Sequence, residues 1–140
     1  MLELGLKEFI PAATLAGKAP RFDHNSDFNF GVFSEKFDYV IARSIWSHAA
    51  PVQIKQMLDQ FVKWSTPEAV FLTSILKADY GQDQYRGDTW VGRSHESDSG
   101  GVVRYRLEWI KDECRRRSLA VDELKRNILD QVWLRISRAK

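Results

Sequence analysis

Arg43-Ser44-Ile45-Trp46-Ser47-His48 is the densest short run of chemically able side chains in this chain. Histidine takes up a proton near neutral pH more readily than any other unperturbed side chain, so His48 is the candidate general base. A histidine here also suits a plainer role, capping the next helix or packing in its loop. A second polar and aromatic stretch is DYGQDQYRGDTWVGRSHESDSGG, residues 79–101. Within it Tyr85, Arg86, Trp90, Arg93 and His95 suit a small polar or sugar-like molecule, held by ring stacking and hydrogen bonds. Trp46 is a candidate for the same pocket, with a core aromatic as the alternative. His24 and His95 have no cysteine or histidine partner at metal-ligand spacing, so no metal site is expected. Cys114 is the one cysteine; it reads as buried filler on the apolar side of a helix. Arg115, Arg116 and Arg117 complement the dipole at that helix's end and need no ligand to explain them.

These residues need a frame. Phe37-Asp38-Tyr39-Val40-Ile41-Ala42 is a β-favouring apolar run, the pattern of a strand buried on both faces of a parallel sheet. It ends at the Arg43–His48 loop. Pro51 then opens a helix at a first-turn position. Val52, Ile54, Met57, Leu58, Phe61 and Val62 share its apolar face. That helix stops near Ser65-Thr66-Pro67, and residues 69–76 form a second buried strand. The 79–101 stretch is a long loop, of the length that usually serves function or is disordered, with a short strand expected at Trp90-Val91. A helix is expected over 104–117. Strands are expected over 119–124 and 131–137, close enough in sequence to pair antiparallel. Before all of these come a helix over 1–9, stopped by Pro11, and a short strand over 19–22. The order is α/β, with a largely parallel sheet.

The chain has 140 residues, enough for one domain with a real core. Its composition, 44% apolar and 29% charged, excludes wholesale disorder. No run approaches the roughly 20 apolar residues of a membrane span. The start MLELGLKEFIPAA has acids inside its apolar stretch and no basic lead-in, unlike a signal peptide. With a single cysteine as well, the cytoplasm is the expected compartment. Net charge is +2. Residues 1–103 carry 10 basic and 13 acidic side chains, and residues 104–140 carry 11 and 6. A basic tail of this kind commonly solvates a helix, so nucleic acid is not an expected partner.

The stretch FDYVIARSIWSHAAPVQIKQMLDQFVKWSTPEAVFLTSI resembles the second half of a class I S-adenosylmethionine-dependent methyltransferase. Phe37-Asp38 opens the strand, Ser44–His48 fills the loop, and Thr66-Pro67-Glu68-Ala69 stands at the turn before the next strand. Glu68 replaces the family's usual glycine there. Arg104-Tyr105 through Gln131-Val132-Trp133-Leu134 resembles the family's closing pattern. The resemblance implies an incomplete Rossmann-like methyltransferase sheet, mostly parallel with an antiparallel C-terminal strand pair. It implies S-adenosylmethionine as cofactor. Ala42, Arg43 and Ser44 would lie near its methionine part, and Asp27 with Phe28 near its adenine. Trp46, Tyr85, Arg86 and Trp90 would meet a small-molecule or sugar-like acceptor, with His48 as base.

One departure is large. The family grips its cofactor with a glycine-rich loop after its first strand and an acid at the end of the second. No Gly-x-Gly occurs in this chain. The resemblance therefore implies residues 1–140 as one N-terminally truncated domain. Without the family's first strand, the strand at 37–42 becomes an open edge, and such edges invite another chain. A homodimer through that edge is one expected outcome. A non-catalytic α/β interaction module derived from a methyltransferase is the alternative function.

Overall fold

The computed structural model describes residues 11–79, 81, 83–92, 100–126 and 131–140. The helix expected over 1–9 lies outside the described residues, as do Arg93 and His95. Helix α1 spans Ala12–Lys18, and a 3-10 turn covers Phe30–Phe33. Then come β1 (Phe37–Ala42), α2 (Pro51–Trp64), β2 (Ser65–Leu76), α3 (Leu107–Arg115), β3 (Leu119–Arg126) and β4 (Gln131–Arg138). The sheet order is β1-β2-β4-β3. β1 and β2 pair parallel, while β4 runs antiparallel to both β2 and β3. Three strands thus point one way and β4 the other. This is the mixed α/β sheet expected, with its antiparallel pair at the C-terminal end.

Hydrophobic periodicity builds the covered face. Ile54, Met57, Leu58 and Phe61 put α2's apolar side on the sheet. They meet Phe71 and Ile75 of β2 and Val132, Leu134 and Ile136 of β4, all in one buried cluster. Ile110 and Cys114 bring α3 into the same cluster. Pro51 sits at α2's first turn, and Gln53 Oε1 accepts the Ala50 N–H at 2.8 Å. Pro67 lacks a ladder donor, and the β1–β2 register breaks there: Phe37 pairs with Ser65, but Tyr39 pairs with Val70.

Some expectations change. β1 is not buried on both faces: Tyr39 is 70% and Ile41 67% exposed, on the face away from α2. Its outer edge has no neighbouring strand among the described residues. No strand forms at 19–22. Pro20 cannot donate to a ladder, and Arg21 is held instead by Glu35 and the Phe33 carbonyl, at 2.8 and 2.7 Å. Trp90-Val91 is not a strand. The last helix starts at Leu107 rather than residue 104, because the Tyr105 N–H donates to the Leu76 carbonyl and Tyr105 O accepts from Ala78. That bridge pulls the chain off the helical path.

Burial of Cys114 has a pH consequence. Burial first, then opposing Arg117 and reinforcing Glu113, pushes its thiol up to about 12. The unfolded thiol ionises near its ordinary value of about 8.5, so above it the unfolded chain binds fewer protons than the folded one. Stability contributed by the neutral thiol is present below that value and lost as pH rises toward about 12. Tyr105, also raised by burial, adds loss in the same direction. The urea midpoint is expected to fall between about pH 8 and about pH 11, and Cys114→Ala to flatten that fall. An equal pH slope in the two proteins refutes the assignment.

Candidate functional site

β1 and β2 end at one edge of the sheet, and antiparallel β4 begins there. The carboxyl ends of parallel strands are where open α/β sheets form their ligand crevice. Three polar side chains meet at this edge. The Ser44 N–H donates to Ser74 Oγ at 2.9 Å. Ser74 Oγ donates to Gln131 Oε1 at 2.8 Å, and Gln131 Nε2 donates to Ser44 Oγ at 2.9 Å. Ser44 has φ 57°, a left-handed conformation that costs energy in a residue with a Cβ. Beside it the Thr73 hydroxyl donates to the Ala42 carbonyl at 3.1 Å. Ser74 and Gln131 were not singled out from sequence. They stand 57 positions apart and carry no motif.

His48 lies one turn further on and is held twice. Its carbonyl accepts the Val91 N–H at 2.9 Å. Its Nδ1 lies 2.8 Å from the Val91 carbonyl. A carbonyl only accepts, so Nδ1 carries the proton, and the neutral ring keeps its lone pair on Nε2. Trp90 stacks on the imidazole with centroids 5.6 Å apart. Gly92 makes the approach possible. A Cβ there would stand 2.6 Å from Nδ1, and its φ of +122° disfavours other residues.

The same loop is strapped at more points. The Val103 N–H donates to Ser47 O at 2.8 Å, and the Tyr105 hydroxyl donates to Ala49 O at 2.7 Å. Burial, with Tyr85 second, keeps Tyr105 protonated well above its ordinary range, so it stays a donor. Val91, Val103 and Tyr105 are therefore tied to residues 47–49, which their sequence separation conceals.

The remaining candidates separate into groups. Tyr85 and Arg86 line a crevice of about 490 Å³ together with Pro51, Arg106 and Trp109. Trp90 lies on His48 instead. Trp46 is fully buried, edge-on to Phe71 at 5.6 Å. Ala42 is buried beneath Ser44, and Arg43 is exposed. Asp27 is exposed; its Oδ1 accepts the Asn29 N–H at 3.1 Å, and its carbonyl accepts from Gln56 of α2. Phe28 takes φ 52° and packs against the core. No described hydrogen bond links Asp27 or Phe28 to the Ser44 cluster.

The fold has structural parallels. The chain superposes on an O-methyltransferase family protein from Burkholderia thailandensis with TM-score 0.58 and 13% identity, covering 91% of this chain and 40% of that one. The glycopeptide N-methyltransferase MtfA gives TM-score 0.66 and 13% identity, covering 97% of this chain and 67% of that one. The fold is methyltransferase-like. TnmH gives TM-score 0.66 at 13% identity, covering 97% of this chain and 39% of that one. The chain thus spans about two fifths of the Burkholderia protein and of TnmH. No family model and no curated protein matches it in sequence. MtfA has also been solved with (S)-adenosyl-L-methionine.

The residues that the resemblance assigns to such a cofactor are only partly brought together. Ala42, Arg43 and the anchored Ser44 end a strand where a ligand crevice forms, and Asp27 retains a second carboxylate oxygen. No Gly-x-Gly occurs in the given sequence, so these residues do not supply the close backbone approach that such a loop allows. Among the described residues no helix is long and apolar enough to cross a membrane.

Proposed function

We propose that this chain is an S-adenosylmethionine-dependent methyltransferase, or the C-terminal part of one, acting on a small-molecule or sugar-like acceptor. One observation carries the reading: after the carboxyl end of β1, in a methyltransferase-like fold, the His48 ring is held through Nδ1 by the Val91 carbonyl at 2.8 Å, so Nε2 takes no part in that bond. When bound, the sulfonium cofactor supplies a methyl group already activated for transfer. The protein's own work is then alignment and proton removal. His48 Nε2 takes the acceptor's proton, and Val91 O steadies the imidazolium through Nδ1–H. Ser44 marks the methionine end of the cofactor wall, with Asp27 and Phe28 at the adenine end. Tyr85, Arg86 and Trp90 position the acceptor.

The second reading is a non-catalytic interaction module. The open edge of β1, with Tyr39 and Ile41 exposed, favours it. A homodimer through that edge belongs to this reading.

One experiment separates them. Purified chain, shown to be folded by circular dichroism, is titrated calorimetrically with S-adenosylmethionine and with its demethylated product. Saturable binding weakened by Ser44→Ala or Asp27→Asn supports the enzyme. A folded dimer that gives no heat overturns it for this chain and leaves the module.

A further inference from the structure

The geometry points to the crevice between residues 84–86 and the first turn of α3 as a binding site for a planar aromatic anion, a ring carrying a carboxylate or phosphate. It rests on the methyltransferase reading only in calling that anion the acceptor. A volume of about 490 Å³ is within the usual range for small-molecule sites.

The walls supply a ring platform. Trp109 stacks on Tyr105 with centroids 5.1 Å apart and planes at 22°. Half-buried, Trp109 also lines the crevice, so part of its indole is open to a ligand. Tyr85 is fixed beside it by its hydroxyl, which donates to Thr89 O at 2.9 Å. Two rings already held in place lose little entropy when a third stacks on them.

The charges select the ligand's sign. Both carboxylates on the crevice are already answered from their own helix: Glu108 by Lys111 at 3.0 Å, and Asp112 by Arg115 at 2.6 Å. The guanidinium groups of Arg86 and Arg106 have no ion pair among the described residues, although both line the crevice. Gln84 Oε1 accepts the Arg106 N–H at 3.3 Å, which fixes the backbone from which that side chain reaches. Arg106 is also the N-cap of α3 and supplies no side-chain cap, so the helix's positive end adds to the field. A neutral sugar would leave both guanidinium groups unanswered. A planar anion meets the rings and both cations together, and carboxylate and phosphate both match a guanidinium fork.

The test is binding without cofactor, followed by intrinsic tryptophan fluorescence and calorimetry. Indole-3-carboxylate, its uncharged carboxamide, phenyl phosphate and methyl glucoside are compared. The two anions are expected to bind saturably, at least about tenfold tighter than the carboxamide, and more weakly as salt rises. Arg86→Gln and Arg106→Gln should each lower anion affinity about tenfold, and Trp109→Leu should weaken both indoles. Arg21 bonds the Phe33 carbonyl and does not line the crevice, so Arg21→Gln should change nothing. Equal binding of carboxylate and carboxamide overturns the proposal, as does a preference for the glucoside or no saturable binding from the folded chain. Anion binding without methyl transfer upholds the site and removes only its role as acceptor site.

Discussion

On the methyltransferase reading proposed above, His48→Ala should lower kcat for methyl transfer by about 10²–10⁴-fold, the range a positioned general base supplies. His48→Gln should lose nearly as much. Glutamine can keep the hydrogen bond to Val91 but offers no basic nitrogen in place of Nε2. Added imidazole should restore part of the alanine variant's rate and none of the glutamine variant's. That difference matters because His48 also clamps two loops through its bonds to Val91. A clamp alone predicts the opposite pattern, with glutamine tolerated and imidazole without effect. Gly92→Ala provides the complementary arm. Its new Cβ would press on Nδ1 at 2.6 Å, so the ring must move although its imidazole remains. Activity should fall, and imidazole should not restore it. An unchanged kcat in His48→Ala ends the base assignment.

The sequence reading and the structure part company wherever a contact joins distant residues. β1, β2 and β4 were legible because apolar β-favouring runs and a clear alternation mark them locally. Helix α2 was legible for the same reason at period 3.6, with Pro51 as its start signal. The burial of β1 was not, since hydrophobicity shows that a strand wants cover but not whether a neighbour exists to give it. Tyr39 and Ile41 look like core residues and are exposed. His48 stands out as a candidate by its type and its place after a strand. Its tautomer does not, because Val91 lies 43 residues away. Gln131 reads only as the polar first residue of an alternating strand, yet it closes the polar cluster over Ser44. Trp109 and Arg106 carry no sequence signal beyond the helix expected over 104–117, because the crevice they line is completed by Gln84, 22 positions before Arg106, and its neighbours.

Glu113→Ala should be among the most destabilising single changes in the chain, by about 3–5 kcal/mol, the usual loss when one partner of a buried ion pair is removed. Glu113 is 3% exposed, on a helix side otherwise given to Ile110 and Cys114. Its carboxylate accepts from Arg117 at 2.9 Å and from Arg116 at 2.6 Å. Arg117 is itself only 15% exposed and turns its other donors to both oxygens of Asp59 on α2, at 2.6 and 3.2 Å. Its charge is held more firmly than usual, first by the Asp59 hydrogen bonds and then by Glu113 against the cost of burial. The three groups thus staple α3 to α2 over the covered face of the sheet. Alanine would leave Arg117 its two bonds to Asp59 and the one to the backbone carbonyl of residue 113, but remove the shielded carboxylate that answers its charge. Glutamine, able to accept but uncharged, should cost less, about 1–3 kcal/mol. Because the pair is shielded, added salt should recover little of either loss, unlike the exposed Lys111–Glu108 pair. Urea unfolding of the two variants at low and high salt decides the matter. A loss in Glu113→Ala below about 1 kcal/mol, the ceiling for surface pairs, would place this carboxylate in water and the two helices apart.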